Sequence, residues 1–346
     1  MTIRPTVSIL LPVRNAETTL PACIESIRAQ TLDDWECIAV DDHSSDRSRA
    51  LLEGWARRDP RVRVFHAPEP GGLVCALETA RREARAPILA RHDADDRSLP
   101  ERLERQVAAL DADADAAVIG CLTETPGPMT DGMRRYLDWL GACTDAGTCT
   151  LEIWIESPIA HPTAVMRAAA IDRAGGYRDL GWPEDYDLWF RVLRDGGRMY
   201  NLAGHLYVWM DRPDRLSRRD ARYGPGAFLR CRVHHLRKWL AAHAPGRRLI
   251  VWGAGRDGRR LAAEWESEID RPGPDAAEIT AFVDIDPRKL GRTRRGRRVL
   301  TFEGARNAHH DAFYLLAVGV PGARSLIRGQ LLAAGLKEGR DFLCLH

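Results

Sequence analysis

The chain has 346 residues, 45% hydrophobic and 29% charged, which suffices for about two soluble domains with packed cores. A net charge of +2 argues against non-specific nucleic-acid binding, and eight cysteines without a CxxC pair argue against a zinc site or a disulfide scaffold; they read as reduced thiols of a cytosolic protein. No stretch approaches the ~20 apolar residues of a membrane span, so membrane association is expected to be peripheral.

From the N-terminus, short apolar runs at 7–11, 36–40, 62–66 and 88–91 alternate with helical patterns at 20–29, 48–56 and 73–85. This rhythm predicts a mainly parallel α/β sheet. Ligands of such sheets sit beyond the carboxyl ends of the strands, which directs attention to residues 12–15, 41–46 and 93–96. Residues 123–147 read as a loop with a short helix near 134–140, and 206–209 as a further strand. Residues 226–243 form an amphipathic pattern with Leu229, Val233, Leu236 and Leu240 on one stripe. Arg230, Arg232, Arg237 and Lys238 either make the solvated face of a connector helix or touch an anionic membrane surface.

A Pro245-Gly246 break opens a second unit, with a strand at 248–252, a glycine-rich turn, a strand at 279–283, another at 313–318 and a closing helix at 324–334. Residues 246–346 hold 18 Lys+Arg against 13 Asp+Glu, so this part is basic while the rest is slightly acidic. The expected domains are 1–220, a helical connector 221–246, and a smaller Rossmann-like α/β domain 247–346.

The run Arg91-His-Asp93-Ala-Asp95-Asp96 follows an apolar strand, on a loop that a ligand reaches. Closely spaced carboxylates repel one another unless a cation joins them, and Mg²⁺ or Mn²⁺ takes oxygen ligands while leaving positions for a diphosphate. The same run also serves as a solvated lead-in to a helix, because Ser98-Leu-Pro-Glu101 is a capping signal. Its context decides between the two.

That context is a series of motifs. Val7-Ser-Ile-Leu-Leu-Pro-Val-Arg-Asn-Ala-Glu17, Gln30-Thr-Leu-Asp-Asp-Trp-Glu36, Val40-Asp-Asp-His-Ser-Ser-Asp46, the Asp93–Asp96 run and Pro183-Glu-Asp-Tyr-Asp-Leu-Trp-Phe-Arg191 stand in the order seen in family 2 glycosyltransferases. The chain resembles that family from about residue 5 to 217. The resemblance implies a GT-A fold and a nucleotide-sugar donor. Pro12, Val13, Arg14, Asn15, Glu17 and Asp42 are then the binding loop and the partner of base and ribose, and a carboxylate such as Asp42 accepts the N–H of a uracil ring. Asp95 matches the metal-coordinating position, with Asp93 and Asp96 reaching sugar or ribose. Asp185, beside Glu184, matches the catalytic base, although a carboxylate there also stabilises the start of the helix marked by Leu188, Trp189, Val192 and Leu193. Many relatives carry an Arg and then a His that contact diphosphate or metal. The matching positions here are Met210 and Arg212, so no histidine ligand carries over and Arg212 is expected to pair with phosphate. Trp182 either stacks on a sugar or packs; His92 and His161 are read as structural.

In the second unit Gly253, Gly255 and Gly258 form a GxGxxG between strand and helix, and Asp284 follows the next strand, where a ribose-binding carboxylate would sit. The continuation through Gly291, Gly296 and Val299 is similar to the Rossmann-like domain of sugar acyltransferases, which implies a second nucleotide or nucleotide-sugar site. A scaffold or dimerisation module needs the same glycines for its turn. The basic residues Arg292, Arg294, Arg295, Arg297 and Arg298 form either an exposed loop or a contact for an anionic partner.

The expected activity is inverting transfer of a hexose or hexosamine from a UDP-sugar to a hydroxyl of a glycan or lipid-linked acceptor, in the cytoplasm or at the inner face of the membrane. The alternatives are a non-catalytic nucleotide-sugar binding or assembly protein and a fused NAD(P) enzyme. The latter lacks a visible hydride-transfer site.

Overall fold

The computed structural model describes residues 4–127, 129–212, 215–269 and 277–346. Two compact units result: one made of residues up to Thr150 and Ser157–Asp220, the other of Leu151–Glu156 and Ala221–His346.

Among the described residues, the first unit is built on β1 (Val7–Val13), β2 (Trp35–Asp41), β3 (Val62–His66), β4 (Ile88–Arg91), β5 (Arg97–Ser98), β6 (Ala116–Glu124), β7 (Val165–Arg167) and β8 (Arg198–Val208). They lie in the order β3-β2-β1-β4-β7-β6-β8-β5. Every residue of β1 and β2 is buried, as central parallel strands covered on both faces require. Ser8 is tolerated there because its hydroxyl donates to Glu36 at 2.7 Å and accepts the Ala86 amide at 3.0 Å. The helices Leu20–Arg28, Ser48–Ala56 and Leu73–Glu83 connect the parallel strands in the manner the periodicity predicts.

The mainly parallel reading holds for β1 to β4 and again for the β6/β8 pair, and antiparallel strands interrupt it between and beyond them. β7 runs antiparallel to both β4 and β6, and β5 antiparallel to β8. Residues 123–147, read as a loop with a short helix, contain the end of β6, the helix Asp131–Leu140 and the start of Ala146–Glu152.

The topology fixes where chemistry gathers. β1 pairs in parallel with β2 on one side and β4 on the other, so residues 14–17, 42–46 and 92–96 leave the same carboxyl edge. β8 returns to that edge from the far side, and the Met210 amide donates to Asp96 Oδ1 at 2.8 Å. Two buried side chains of the helix Arg102–Ala112 tie the parts together. Arg102 Nη2 donates to the carbonyls of Arg91 (2.8 Å) and Pro162 (3.0 Å), and Gln106 Nε2 to those of Ile119 (2.7 Å) and Thr163 (2.8 Å).

In the second unit, β9 (Leu249–Trp252), β10 (Ile279–Val283), β11 (Thr293–Arg294), β12 (Arg297–Leu300), β13 (Phe313–Leu316) and β14 (Phe342–Cys344) follow the order β11-β12-β10-β9-β13-β14. All neighbours are parallel except the β11/β12 hairpin. The chain starts at β9, builds outward through β10 and β12, and then crosses to β13, so the winding reverses between β9 and β13. Trp252, Tyr314 and Phe342 belong to its core.

The helix Pro225–His243 belongs to this unit, with Val233, Leu236 and Leu240 buried. Its basic face is smaller than the sequence implies. Arg232 is turned inward, donating to the carbonyls of Leu345 (2.6 Å) and Ile155 (2.5 Å), and Arg237 lies 5.2 Å over the Trp265 ring. Arg230 and Lys238 remain exposed. No helix among the described residues is long and apolar enough to cross a membrane.

Candidate active site

The first wall of the site is an interlock of the loops after β1 and β2. Pro12 and Val13 are buried at the end of β1. Asn15, at φ 50°, accepts the Ser45 amide on Oδ1 at 2.8 Å, and the Glu17 amide donates to Asp46 Oδ2 at 3.0 Å. Asp42 is 4% exposed; its Oδ1 accepts the Gly72 amide at 2.7 Å and its Oδ2 lies 3.3 Å from Nη1 of the exposed Arg14. Gly71 has to be glycine: at φ 78° a Cβ would stand 2.6 Å from Asp42 Oδ1. The Asp42 carboxylate is thus fixed, with its second oxygen held only by a side chain that solvent can release.

The second wall is the acidic run. Carboxylate oxygens of Asp93, Asp95 and Asp96 lie within 4.8 Å of one another. At that separation two unit charges repel by about 3.5 kcal/mol for an effective dielectric of about 20. The electrostatics divide the three. Burial alone would raise Asp93, but Arg91, whose Nη2 is 2.6 Å from Asp93 Oδ1, together with Arg215 and His161 holds it below its ordinary value. Burial and then Asp93 push Asp95 up. Burial, Asp93 and Asp95 push Asp96 well above the carboxylate range. Asp96 Oδ2 is buried without a hydrogen-bond partner. An all-oxygen donor set with surplus negative charge and an orphaned buried oxygen fits a hard divalent cation such as Mg²⁺ or Mn²⁺.

Sequence reasoning singled out Arg212 beside this cluster; its charge favours ionised Asp95. It missed Arg215, which favours the ionised form of all three aspartates. The Arg215 guanidinium sits 4.3 Å over the Trp209 ring with Nη1 buried and unpartnered. A run of arginines at 212–219 offers no local sign of which one turns inward. Tyr207 was missed too: its hydroxyl accepts the Asp93 amide at 3.1 Å and its ring stacks edge-on to His92. His92 is neutral, pushed down to about 3 by burial and then by Arg102, with Nδ1 2.8 Å from the Asp93 carbonyl.

Glu184 and Asp185 open the helix Glu184–Arg194. Glu184 is 2% exposed and its Oε1 lies 3.3 Å from His161 Nδ1, while His161 Nε2 is 3.1 Å from the Tyr177 hydroxyl. Asp185 is more accessible, and the Ser157 hydroxyl donates to its Oδ2 at 3.4 Å. Glu184 thus engages the His161 turn, and Asp185 is the more accessible member of the pair. Tyr177 is raised by burial, is opposed by Arg91, and feels both Glu184 and Asp185, so the acid pair and the Arg91–Asp93 pair act on one phenol. Trp182 is buried.

The glycine-rich turn of the second unit is tightly closed. A Cβ on Gly258 would lie 1.7 Å from the Gly253 carbonyl oxygen, and one on Gly253, at φ 118°, 2.6 Å from that of Ala317, whereas Gly255 is open. Asp284 spends both oxygens internally: Oδ2 accepts the Ala254 amide at 2.9 Å and meets Lys289 Nζ at 3.0 Å, and Oδ1 accepts the Asp286 amide at 2.9 Å. Of the basic loop, Arg295 and Arg297 both pair with Glu266.

Comparison with known proteins agrees with this geometry. Residues 8–173 match the family model described as Glycosyl transferase family 2. EpsE of Bacillus subtilis (strain 168), named as a glycosyltransferase, is 31% identical over 230 residues, covering 63% of this chain and 78% of EpsE. The O-antigen biosynthesis glycosyltransferase WbnJ of Escherichia coli is 26% identical over 68% of this chain and 89% of its own. Three further curated relatives are matched over only 26% to 35% of their length. Among solved structures, S. aureus TarS 1-349 in complex with UDP-GlcNAc superposes with a TM-score of 0.55 at 16% identity, over 77% of this chain and 73% of that one, while a longer TarS chain is covered over 40%. The chain belongs to the family 2 glycosyltransferases and carries a nucleotide-sugar transferase fold of the GT-A type.

Proposed function

We propose that the protein transfers a hexosyl group from a UDP-sugar to a hydroxyl of a glycan or lipid-linked acceptor, with inversion at the anomeric carbon. The observation that carries this reading is the cluster of Asp93, Asp95 and Asp96, whose closely spaced charges repel one another and in which the buried Asp96 Oδ2 has no hydrogen-bond partner. A divalent ion held by Asp95, with Asp93 and Asp96 beside it, would neutralise charge on the departing diphosphate.

The chain's own groups supply the rest. Asp42, fixed by the Gly72 amide, receives the N–H of the base once Arg14 swings out, and the loop of Pro12, Val13, Arg14, Asn15 and Glu17 frames the ribose. Arg215, whose Nη1 is buried without a partner, and Arg212 place positive charge by the acidic cluster and so by the phosphate. Asp185 accepts the proton of the acceptor hydroxyl as its oxygen attacks the anomeric carbon. The bond from that carbon to the diphosphate breaks and its electron pair leaves with UDP. One displacement with one base inverts the configuration.

The name of WbnJ places that relative in O-antigen biosynthesis, and a surface polysaccharide is the acceptor class we assign here. We place this reaction on the cytoplasmic side of the membrane. For the second unit our reading is a nucleotide-binding or dimerisation module, supported by its doubly wound strand order.

Nucleotide release from a panel of UDP- and GDP-sugars, with Mn²⁺ and with EDTA, tests the proposal. Metal-dependent release of UDP is expected, with Asp185→Asn slowed 100-fold or more and donor affinity kept. No release from any donor, or full activity of Asp185→Asn, would refute it.

A further inference from the structure

The second unit contains a cavity of about 330 Å³ that borders its glycine-rich turn at Asp257. It opens between the first turns of the helices Arg256–Ile269 and Pro225–His243, and Ala317, just past β13, and Leu345 and His346, just past β14, also line it. This is the carboxyl end of the sheet on the side where the winding reverses between β9 and β13. Doubly wound sheets take their ligands in the crevice that such a reversal leaves.

The chemistry of the walls selects an anion. Arg232, Arg260 and Arg324 line the cavity against two carboxylates, Glu156 and Asp257. Asp257 is already paired with Arg256 at 3.1 Å. Arg260 is exposed. His346 is pushed down by burial and, against Asp257, by Arg232, Arg324 and Arg256. Arg324 is lowered in the same way, by burial first and then, against Glu152 and Cys344, by Arg328 and Arg232. Arg324 Nε also donates to the His346 carbonyl at 2.6 Å, and its Nη1 lies 3.9 Å from Glu152. Leu229, Leu261 and Leu345 give the cavity an apolar side that suits a ring. Within the turn itself Asp284 is engaged by the Ala254 amide and Lys289, and Gly253 and Gly258 are pressed against carbonyls, so the open space lies on the Asp257 side.

We propose that this cavity is a second ligand site that takes a small phosphate ester, its phosphate on Arg260 and Arg324 and its ring on the leucine side. Its volume falls at the low end of small-molecule pockets, near ~300 Å³. The phosphate could come from a sugar phosphate or from a nucleoside diphosphate, and the test separates these sources.

Calorimetry on the full chain carrying Asp42→Ala, Arg215→Gln, Asp93→Asn and Asp95→Asn, which removes the base, phosphate and metal contacts of the first site, would use inorganic phosphate, glucose 1-phosphate and UDP as probes. At least one organic probe is expected to bind at one per chain, and the tighter of the two identifies the source. Adding Arg260→Glu, an exposed position whose melting temperature serves as the folding control, should weaken that binding tenfold or more. Failure of both organic probes to bind below millimolar concentration, or a loss of less than tenfold with Arg260→Glu in a folded protein, would overturn the proposal. Neither result bears on donor turnover at the first site, which is measured on the chain with Asp93 and Asp95 intact.

Discussion

Replacing Asp96 by Asn should stabilise the metal-free protein while abolishing its response to metal. Asp96 is 1% exposed and lies within 4.8 Å of both Asp93 and Asp95. Each close pair repels by about 3.5 kcal/mol at an effective dielectric of about 20. In its ionised form Asp96 takes part in two such pairs, so two such terms are the ceiling on what its removal recovers. The gain is reduced by the lost attraction of Arg215 and by the protonation that burial already favours at this carboxyl, leaving a net of ~2 kcal/mol. Asn keeps an oxygen for the Met210 amide and presents an NH₂ to the neighbouring carboxylates. For a unit of this size ~2 kcal/mol corresponds to roughly 4–8 °C. Thermal melts in EDTA should therefore show Asp96→Asn above the wild type, and melts in millimolar Mn²⁺ should raise the wild type but barely move the variant. A variant that melts below wild type in EDTA, or that keeps the whole Mn²⁺ shift, would refute the account of the cluster as a preformed cation site.

Three further outcomes follow from single contacts. His92 is held at about 3, below its ordinary 6.5, so its contribution is present above pH 6.5 and lost as pH falls. Wild-type stability should drop by about 2 kcal/mol between pH 6.5 and 5, and by clearly less in His92→Gln, as followed by urea melts at each pH. Arg215→Gln should raise the dissociation constant for UDP about tenfold in the presence of Mn²⁺, whereas loss of the exposed Arg219 should leave it unchanged in the same titration. Gly258→Ala places a methyl 1.7 Å from the Gly253 oxygen and should destabilise the second unit by about 3 kcal/mol, seen as an early transition in calorimetric melting.

The parallel part of the first sheet was legible because each strand is a short apolar run closed by a helix of 3.6-residue period. β6, β7 and β8 were not, since their partners lie far apart in sequence and pairing leaves no local mark. The same distinction holds within the site. Asp93, Asp95, Asp96, Glu184 and Asp185 stand in runs that announce themselves. Arg215, Tyr207, Arg102 and Gln106 act at the site through tertiary contact alone, and nothing beside them in sequence shows that they turn inward. Asp284 illustrates the opposite failure: its position after a strand suits a ribose, yet the fold uses both its oxygens to hold the turn. Arg232, read from its neighbours as part of a solvated face, is drawn inward by two carbonyls that lie 77 and 113 residues away.

Asp42, the Asp93–Asp96 cluster and Asp185 are proposed to form one donor site. A crystal structure of the protein with a UDP-sugar and Mn²⁺, with the ion located by anomalous scattering, tests it most directly. The prediction is an ion within roughly 2.0–2.3 Å of an Asp95 carboxylate oxygen, the base against Asp42, and the anomeric carbon open to Asp185. A donor bound elsewhere, or an ion held by residues outside Asp93, Asp95 and Asp96, would contradict it.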